Sequence, residues 1–249
     1  MSEFTLTHDL HVHSTFSDDA TSSLDENVRA AERVGLITLG LADHVRASTT
    51  WITERADQVA ELQRLTSVRL LCGVEVKILN HAGDLDLPTD LAGVDYVLIA
   101  DHRYPGEDGP LSPSQVRSQL AEGALSPVKV IACLVEATSN AMANTTAPPH
   151  HAVVAHPFSL LSKLGLDESM ITDAHLRQLS AAARATGTRF EVNEKWGCPT
   201  HRIVTELLNH GVGLVAGSDA HRCADVGRYD QVRKLLNASL TVGDGADGA

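Results

Sequence analysis

Histidines and carboxylates recur along this chain at the points where predicted strands end. Metal sites need imidazole and carboxylate groups that converge from separate elements onto one point. The types and positions of these residues therefore predict a centre that binds several metal ions, of the kind that hydrolases use. The positions are His11, His13, Asp43, His44, Glu75, Asp101, His102, His156, Asp219 and His221.

The pair His11 and His13 ends the first predicted strand. An extended backbone directs side chains two positions apart to the same face, so one metal ion could be bound by both. Taken alone, such a pair is more typical of a solvated strand end than of a ligand pair. Together with the distant run Asp219-Ala220-His221, it indicates a metal site.

Short apolar, β-branched runs alternate with amphipathic stretches along the chain. This alternation predicts parallel strands covered by helices, in either a barrel or a doubly wound sheet, and seven strands favour a distorted (β/α)7 barrel of the α/β class, similar to a TIM barrel. Functional groups in such folds collect at the C-terminal ends of the strands. The predicted strands are Thr7–Val12, Ile37–Ala42, Arg69–Val74, Tyr96–Ala100, Ala152–Ala155, Arg189–Val192 and Gly213–Gly217.

Helix punctuation supports the same pattern. Ser23 and Glu26 have the spacing of a capping box, and Asp173 is expected to cap a later helix that Gly187 ends. The stretch 105–149 is the least regular part of the chain, and around a predicted helix from Pro127 to about Ala143 it could form a lid or a peripheral layer.

Composition limits the classes of protein. A length of 249 residues with 43% hydrophobic content suits a single barrel domain over residues 1–240, followed by a Gly- and Asp-rich tail, 241–249, that we expect to be disordered. The formal net charge of -12 disfavours binding to duplex nucleic acid or to an anionic membrane. The four cysteines form no C-x-x-C pair, and no signal peptide or membrane-spanning run is present, so we expect a cytoplasmic protein. The sequence does not reveal the oligomeric state.

The motifs resemble those of the PHP (polymerase and histidinol phosphatase) family. The family's opening motif is similar to the run Asp9-Leu10-His11-Val12-His13-Ser14-Thr15-Phe16-Ser17-Asp18-Asp19. Its later motifs resemble, in order, Gly40-Leu41-Ala42-Asp43-His44, Gly73-Val74-Glu75, His156-Pro157 and Gly217-Ser218-Asp219-Ala220-His221. The resemblance extends from about Asp9 to Gly227, and Gly73–His102 also resembles stand-alone PHP proteins and the PHP module of bacterial X-family DNA polymerases.

The resemblance implies a seven-stranded barrel that holds three divalent metal ions. It assigns to the first ion His11, His13, Glu75 and Asp219; to the second Glu75, His102 and His156; and to the third Asp19, His44 and His221. Many relatives carry histidine at the position of Asp19, and Asp18 is the alternative ligand. A carboxylate there favours ions that prefer oxygen, such as manganese, although zinc or iron would also fit.

The chemistry implied by such a centre is the hydrolysis of phosphoric esters by a metal-bridged hydroxide. The leading hypothesis is a phosphatase, similar to histidinol phosphatases, that acts on a small phosphorylated metabolite. Cations that follow strand ends could contact the phosphate, although each could equally pair with a surface carboxylate. They are Arg46, Arg103, Lys195 and Arg222. Asp43 or Asp101 could orient ligand imidazoles.

Other functions remain open. A phosphodiesterase or exonuclease that acts on nucleotide ends is suggested by the polymerase-associated modules, and a non-catalytic, metal-stabilised scaffold is a further alternative. Hydrolysis of C–N bonds is also compatible with a metal-rich barrel, because fold alone does not decide function. No metal-bridging lysine after a strand is evident in the sequence.

Overall fold

The computed structural model describes residues 6–145 and 152–241. Seven parallel strands form one sheet with the order β1-β2-β3-β4-β7-β8-β9, and two short strands, β5 and β6, form an antiparallel hairpin. The predicted distorted (β/α)7 barrel is confirmed. The strands are β1 His8–Val12, β2 Thr38–Val45, β3 Arg69–Lys77, β4 Tyr96–Ala100, β5 Tyr104–Gly106, β6 Gly109–Leu111, β7 Ala152–Val154, β8 Arg189–Asn193 and β9 Leu214–Gly217.

The first and last strands meet at a short seam that closes the sheet into a barrel. Val12 and Ala220 form a parallel bridge, and the backbone N–H of His13 donates to the carbonyl of Ala220 at 2.8 Å. The buried carboxylate of Asp9 accepts hydrogen bonds across the seam from the backbone N–H groups of Ser218 and Gly227, each at 2.9 Å. Asp9 is part of the opening motif, but its carboxylate holds the seam together and does not point at the candidate metal centre.

Tyr96 fills the barrel below the strand ends. Its hydroxyl donates to the carbonyl of Leu10 at 2.7 Å, and its ring occupies the space that a side chain at Gly40 or Gly73 would need. A Cβ at Gly73 would lie 2.3 Å from the ring. The interior is therefore packed with side chains, and any ligand must approach from the mouth.

Helices cover the outside of the barrel. Ser23 and Glu26 form the predicted capping box of the first helix. The prediction that Asp173 caps a later helix is wrong, because Thr172 is the cap and Asp173 is the first residue of that helix. The helices are α1 Leu24–Val34, α2 Ile52–Gln63, α3 Pro113–Ala121, α4 Pro127–Asn144, α5 Ser159–Leu164, α6 Asp173–Thr186, α7 His201–Asn209 and α8 Asp230–Thr241.

The irregular stretch after β4 forms a peripheral layer. It contains the β5–β6 hairpin, α3 and α4, and α4 buries Val130, Ile131 and Leu134 in the main hydrophobic cluster, so this helix belongs to the outer wall of the barrel. Positions 146–149 of the stretch lie outside the described residues, as does the predicted tail beyond Thr241. Within the described ranges, no helix combines the length and the apolar character needed to span a bilayer.

Candidate metal centre

The predicted ligands converge at the C-terminal ends of the strands, around Glu75. This carboxylate, on β3, is buried, and its Oε1 lies 3.0 Å from His102 Nε2 and 2.8 Å from His156 Nε2. Its Oε2 lies 2.8 Å from His44 Nδ1. Alternation along β3 directs Gly73 and Glu75 to the interior, which is how one strand both makes room for Tyr96 and supplies the central carboxylate.

Three imidazole nitrogens surround the Oε2 atom of Glu75, with His44 Nδ1 at 2.8 Å and His11 Nε2 and His13 Nε2 each at 3.5 Å. A buried carboxylate oxygen faced by several imidazole nitrogens offers the donors of a metal site, because one divalent ion could be shared among them. The donor set therefore fits divalent cations.

The pair on β1 points inward as predicted. His11 Nε2 and His13 Nε2 lie 3.0 Å apart, and Asp219 Oδ1 lies 3.5 Å from His13 Nε2 and 3.9 Å from His11 Nε2. Asp219 follows β9 across the seam and has a left-handed backbone with φ 55°. His156 also has positive φ, 27°, so two of the candidate ligands occupy conformations that non-glycine residues rarely adopt and that cluster at functional sites.

The third predicted group also assembles. Asp19 Oδ2 lies 3.2 Å from His221 Nε2 and 3.5 Å from His44 Nε2. Asp18, the alternative, is almost fully exposed and lies 3.8 Å from the guanidinium of Arg46 instead. Of the two carboxylates, Asp19 is therefore the one that lies beside the imidazoles of the centre.

Among the described residues, three overlapping sets of side chains bring one donor atom each within 4.8 Å of one another. Glu75 belongs to two of these sets, as expected for a carboxylate that bridges ions. The sets are His11 with His13 and Glu75, His44 with Glu75 and His102, and His13 with His44 and His221.

Neighbouring polar groups fix the orientation of several imidazoles. Glu191 Oε1 lies 2.9 Å from His11 Nδ1, Ser17 Oγ lies 3.2 Å from His13 Nδ1, and Ser159 Oγ lies 3.0 Å from His156 Nδ1. Each contact engages the nitrogen that faces away from the centre and leaves Nε2 free for a metal, which is the usual arrangement around metal-bound histidines. Neither Glu191 nor the serines were singled out from the sequence.

The carboxylates predicted to orient imidazoles behave differently. Asp43 contacts no imidazole of residues 6–145 or 152–241; it pairs with buried Arg55 at 2.6 Å and accepts hydrogen bonds from Ser14 and Ser17. It thus holds the loop that follows β1. Asp101 lies 4.0 Å from His156 Nδ1, and burial raises the pKa of its carboxyl to about 7.

Burial and neighbouring charges shift the pKa values of the candidate ligands in opposite directions. Burial lowers the pKa of His13 to about 4, so this imidazole is neutral near pH 7. Burial alone would also lower the pKa of His11, but the carboxylates of Glu191 and Glu75 outweigh it and raise that pKa well above its ordinary value. The imidazoles of His102 and His11 hold the pKa of Glu75 well below its usual range despite burial.

The predicted phosphate-contact cations are not all at the centre. Lys195 Nζ lies 3.2 Å from His221 Nδ1 and 3.4 Å from Asp219 Oδ1, and Arg46 borders the site. The guanidinium of Arg222 instead donates two hydrogen bonds to Asp225, and Arg103 is exposed and borders neither of the cavities described next.

Two cavities meet at the centre and share a wall of four residues, namely Asp19, His44, Glu75 and His102. The larger, of about 490 Å³, is also lined by Phe16, Trp51, Arg46 and Lys77. The smaller, of about 280 Å³, is also lined by Lys163, Lys195, Trp196 and His221. The centre therefore has room for a ligand on either side.

A parallel-stranded barrel with a centre of histidines and carboxylates at its mouth defines a metal-binding α/β barrel. A family model described as the PHP domain matches residues 9–164, and the chain belongs to the PHP family, as the motifs predicted.

Curated relatives and solved structures resemble the chain over most of its length. A probable phosphatase of Thermoanaerobacter sp. (strain X514) is 26% identical over 94% of this chain and 86% of its own. One of Clostridium novyi is 22% identical over 92% and 85%. Histidinol phosphate phosphatase of Lactococcus lactis, solved with zinc, L-histidinol and phosphate, covers 93% of both chains with a TM-score of 0.69 at 15% identity, which supports the fold.

Proposed function

We propose that this protein is a metal-dependent phosphatase that hydrolyses a phosphomonoester of a small metabolite, with histidinol phosphate as a model for the substrate. The observation that carries the proposal is the convergence of imidazole nitrogens of His11, His13 and His44 on one buried oxygen of Glu75. The predicted enzyme class, a hydrolase of phosphoric esters, agrees with relatives named probable phosphatases over nearly the whole chain. The Lactococcus lactis structure, which holds phosphate and L-histidinol, supports the substrate class.

The same proposal includes three divalent ions, held by the three ligand groups that the family resemblance assigns. Such ions, when bound, lower the pKa of a bridging water and neutralise phosphate oxygens. Glu75 would join the groups, and Asp219 and Asp19 would complete them with carboxylate oxygens. A set that combines imidazole with carboxylate suits manganese, iron or zinc.

The chain's own residues would position the ester. Lys195 lines the smaller cavity, so we place the phosphate there, and the leaving group would occupy the larger cavity, whose volume suits a small metabolite. Phe16 and Trp51, with ring centres 5.1 Å apart, give that cavity an apolar wall, and Arg46 gives it a cation at the rim.

Elemental analysis of the purified protein, combined with phosphate release from a panel of phosphomonoesters in the presence of manganese, iron or zinc, tests the proposal. We expect about three ions per chain and turnover of at least one monoester, and loss of turnover in Asp219→Asn. Bound metal without turnover of any monoester would contradict the phosphatase. Shortening of oligonucleotides in the same preparation would indicate the nuclease, and neither activity would indicate the scaffold.

A further inference from the structure

The smaller cavity contains a lysine that no motif in the sequence indicated. Lys163 lies on the short helix α5, four positions after Ser159, whose hydroxyl contacts His156 Nδ1 at 3.0 Å. Residues four apart share a face of a helix. The helix therefore presents to the centre both the residue that orients a ligand imidazole and an ammonium group that lines the cavity.

Trp196 fixes the position of this ammonium. Lys163 Nζ lies 4.1 Å from the centre of the indole ring, well within the range of a cation–π interaction. The indole Nε1–H donates to Asp219 Oδ2 at 3.0 Å, so the ring is itself tied to the centre. The carbonyl of Lys163 accepts from Arg117 at 2.6 Å, which anchors the end of α5 to α3.

Lys163 has no carboxylate partner among the described residues, although the chain carries a formal net charge of -12. Lys77 pairs with Asp86 and Lys195 with Asp219, whereas the ammonium of the partly buried Lys163 packs on the face of an aromatic ring and its charge acts on the carboxyl of Asp101 without an ion-pair contact. A partly buried ammonium that is not engaged in an ion pair is available to an anion in the adjoining cavity.

Lys163 also differs from Lys195 in its compatibility with bound metal. Lys195 Nζ lies at hydrogen-bond distance from both ring nitrogens of His221, where it competes for electron pairs that an ion would take. Lys163 contacts no imidazole or carboxylate of the centre within the described chain and can stay in place when ions bind.

We propose that Lys163, held by Trp196, binds a non-reacting oxygen of a tetrahedral phosphate dianion in the smaller cavity. The inference rests on the proposed phosphatase function and names a phosphate-binding residue for it. Two ligands share this chemistry, the phosphomonoester substrate and free inorganic phosphate, and they are separated by measuring the KM of the ester and the binding of phosphate.

The test uses the metal-loaded, full-length protein and inorganic phosphate as the probe, with calorimetry for direct binding and competitive inhibition of ester hydrolysis as a second readout. Lys163→Met should bind phosphate about ten- to a hundredfold more weakly, because a charge-assisted hydrogen bond is lost. Its KM should rise if the substrate uses the same contact, and its metal content should stay that of the wild type. Lys163→Arg should recover most of the affinity. Lys129→Met is the matched control, because it removes the same charge from an exposed position on α4.

The outcomes separate this inference from the function on which it rests. Unchanged phosphate affinity in Lys163→Met, or a loss of affinity that parallels a loss of metal, would overturn the inference even if the wild type hydrolyses monoesters. Absence of phosphate binding to the wild type would overturn it as well. If phosphate binds through Lys163 but no monoester is hydrolysed, the binding site stands and the phosphatase proposal fails.

Discussion

The Nε2 atoms of His11 and His13 lie 3.0 Å apart at the end of β1. Each ring has its other nitrogen engaged, by Glu191 and Ser17 respectively. The carboxylates of Glu191 and Glu75 raise the pKa of His11, and burial lowers that of His13 to about 4, which favours His11 as the donor and His13 as the acceptor of the contact between their Nε2 atoms. A proton on His11 Nε2 would occupy the position to which the resemblance assigns an ion.

Metal binding should release this proton. The imidazole of His11 must be deprotonated to bind an ion, and its pKa lies well above 6.5, so it holds its proton around neutral pH. Because protons compete with the metal for this nitrogen, metal affinity should weaken as pH falls, by about tenfold per pH unit for each proton displaced. Calorimetric titration with Mn²⁺ or Zn²⁺ in two buffers of different ionisation enthalpy counts the protons. We expect at least one per chain, and none would contradict the arrangement.

Replacing Glu191 should weaken metal binding without removing a ligand. Glu191 accepts from His11 Nδ1 with one oxygen and from the backbone N–H of His156 with the other. An amide cannot accept at both positions, so Glu191→Gln should lower metal affinity about 10- to 100-fold, the usual cost of losing such a partner. Competition with a chromogenic chelator measures this. The matched control is Glu194→Gln, because among the described residues the carboxylate of Glu194 accepts only from the backbone N–H groups of Gln231 and Val232 in the first turn of α8.

Gly217 should tolerate no side chain. A Cβ there would lie 1.8 Å from Glu191 Oε1 and 2.7 Å from His11 Cβ. We expect Gly217→Ala to lower the free energy of unfolding by about 1–3 kcal/mol and to displace Glu191, with weaker metal binding as a result. Gly213→Ala, at the residue just before β9, would meet only the flexible side chain of Arg189 and should change both quantities little. Equal effects of the two substitutions would refute this reading of the close approach.

The buried pair of Arg55 and Asp43 should matter for stability more than for metal chemistry. The guanidinium of Arg55 bonds Asp43 Oδ2 and the carbonyl of Leu41, each at 2.6 Å, with almost no exposure. Arg55→Met leaves a buried carboxylate without its cation, so the metal-free protein should lose about 3–5 kcal/mol in denaturant unfolding. Arg29→Met, which breaks the exposed pair with Asp25, should cost under about 1 kcal/mol.

Much of the fold and of the site was predictable from the sequence because both depend on local patterns. The seven strands lie within a few residues of their predicted bounds, and His11, Glu75 and Asp219 lie at strand ends that a parallel barrel must bring together. Their convergence follows from the direction of the strands alone. The single domain over residues 1–240 and the roles of the individual ligands stay predictions.

Other features depend on the register between distant strands, which the sequence does not display. Glu191 reaches His11 over 180 positions of sequence, and its only signal was a carboxylate between the apolar residues Phe190 and Val192 of a predicted strand. The sequence around Lys163 is amphipathic and predicts an exposed side chain. The structure places α5 against Trp196, and this placement directs the ammonium of Lys163 to the cavity. In the sequence, Arg222 directly follows a ligand motif, as Lys195 closely follows a strand, so both were equally good candidates for a phosphate contact. In the structure, the guanidinium of Arg222 instead pairs with Asp225, three residues later.

The seam between β1 and β9 links metal binding to the closure of the barrel. Asp9 and Ser218, which are joined across it, stand 209 positions apart, so the seam brings nearly the whole chain into a ring. An ion held by His13 on one side and Asp219 on the other would act as a crosslink between the two ends of that ring. Removing the ion would release a closed loop that spans most of the described chain, and the entropy gained on opening a loop increases with its length. Loss of metal would then weaken the closure of the barrel between its first and last strands.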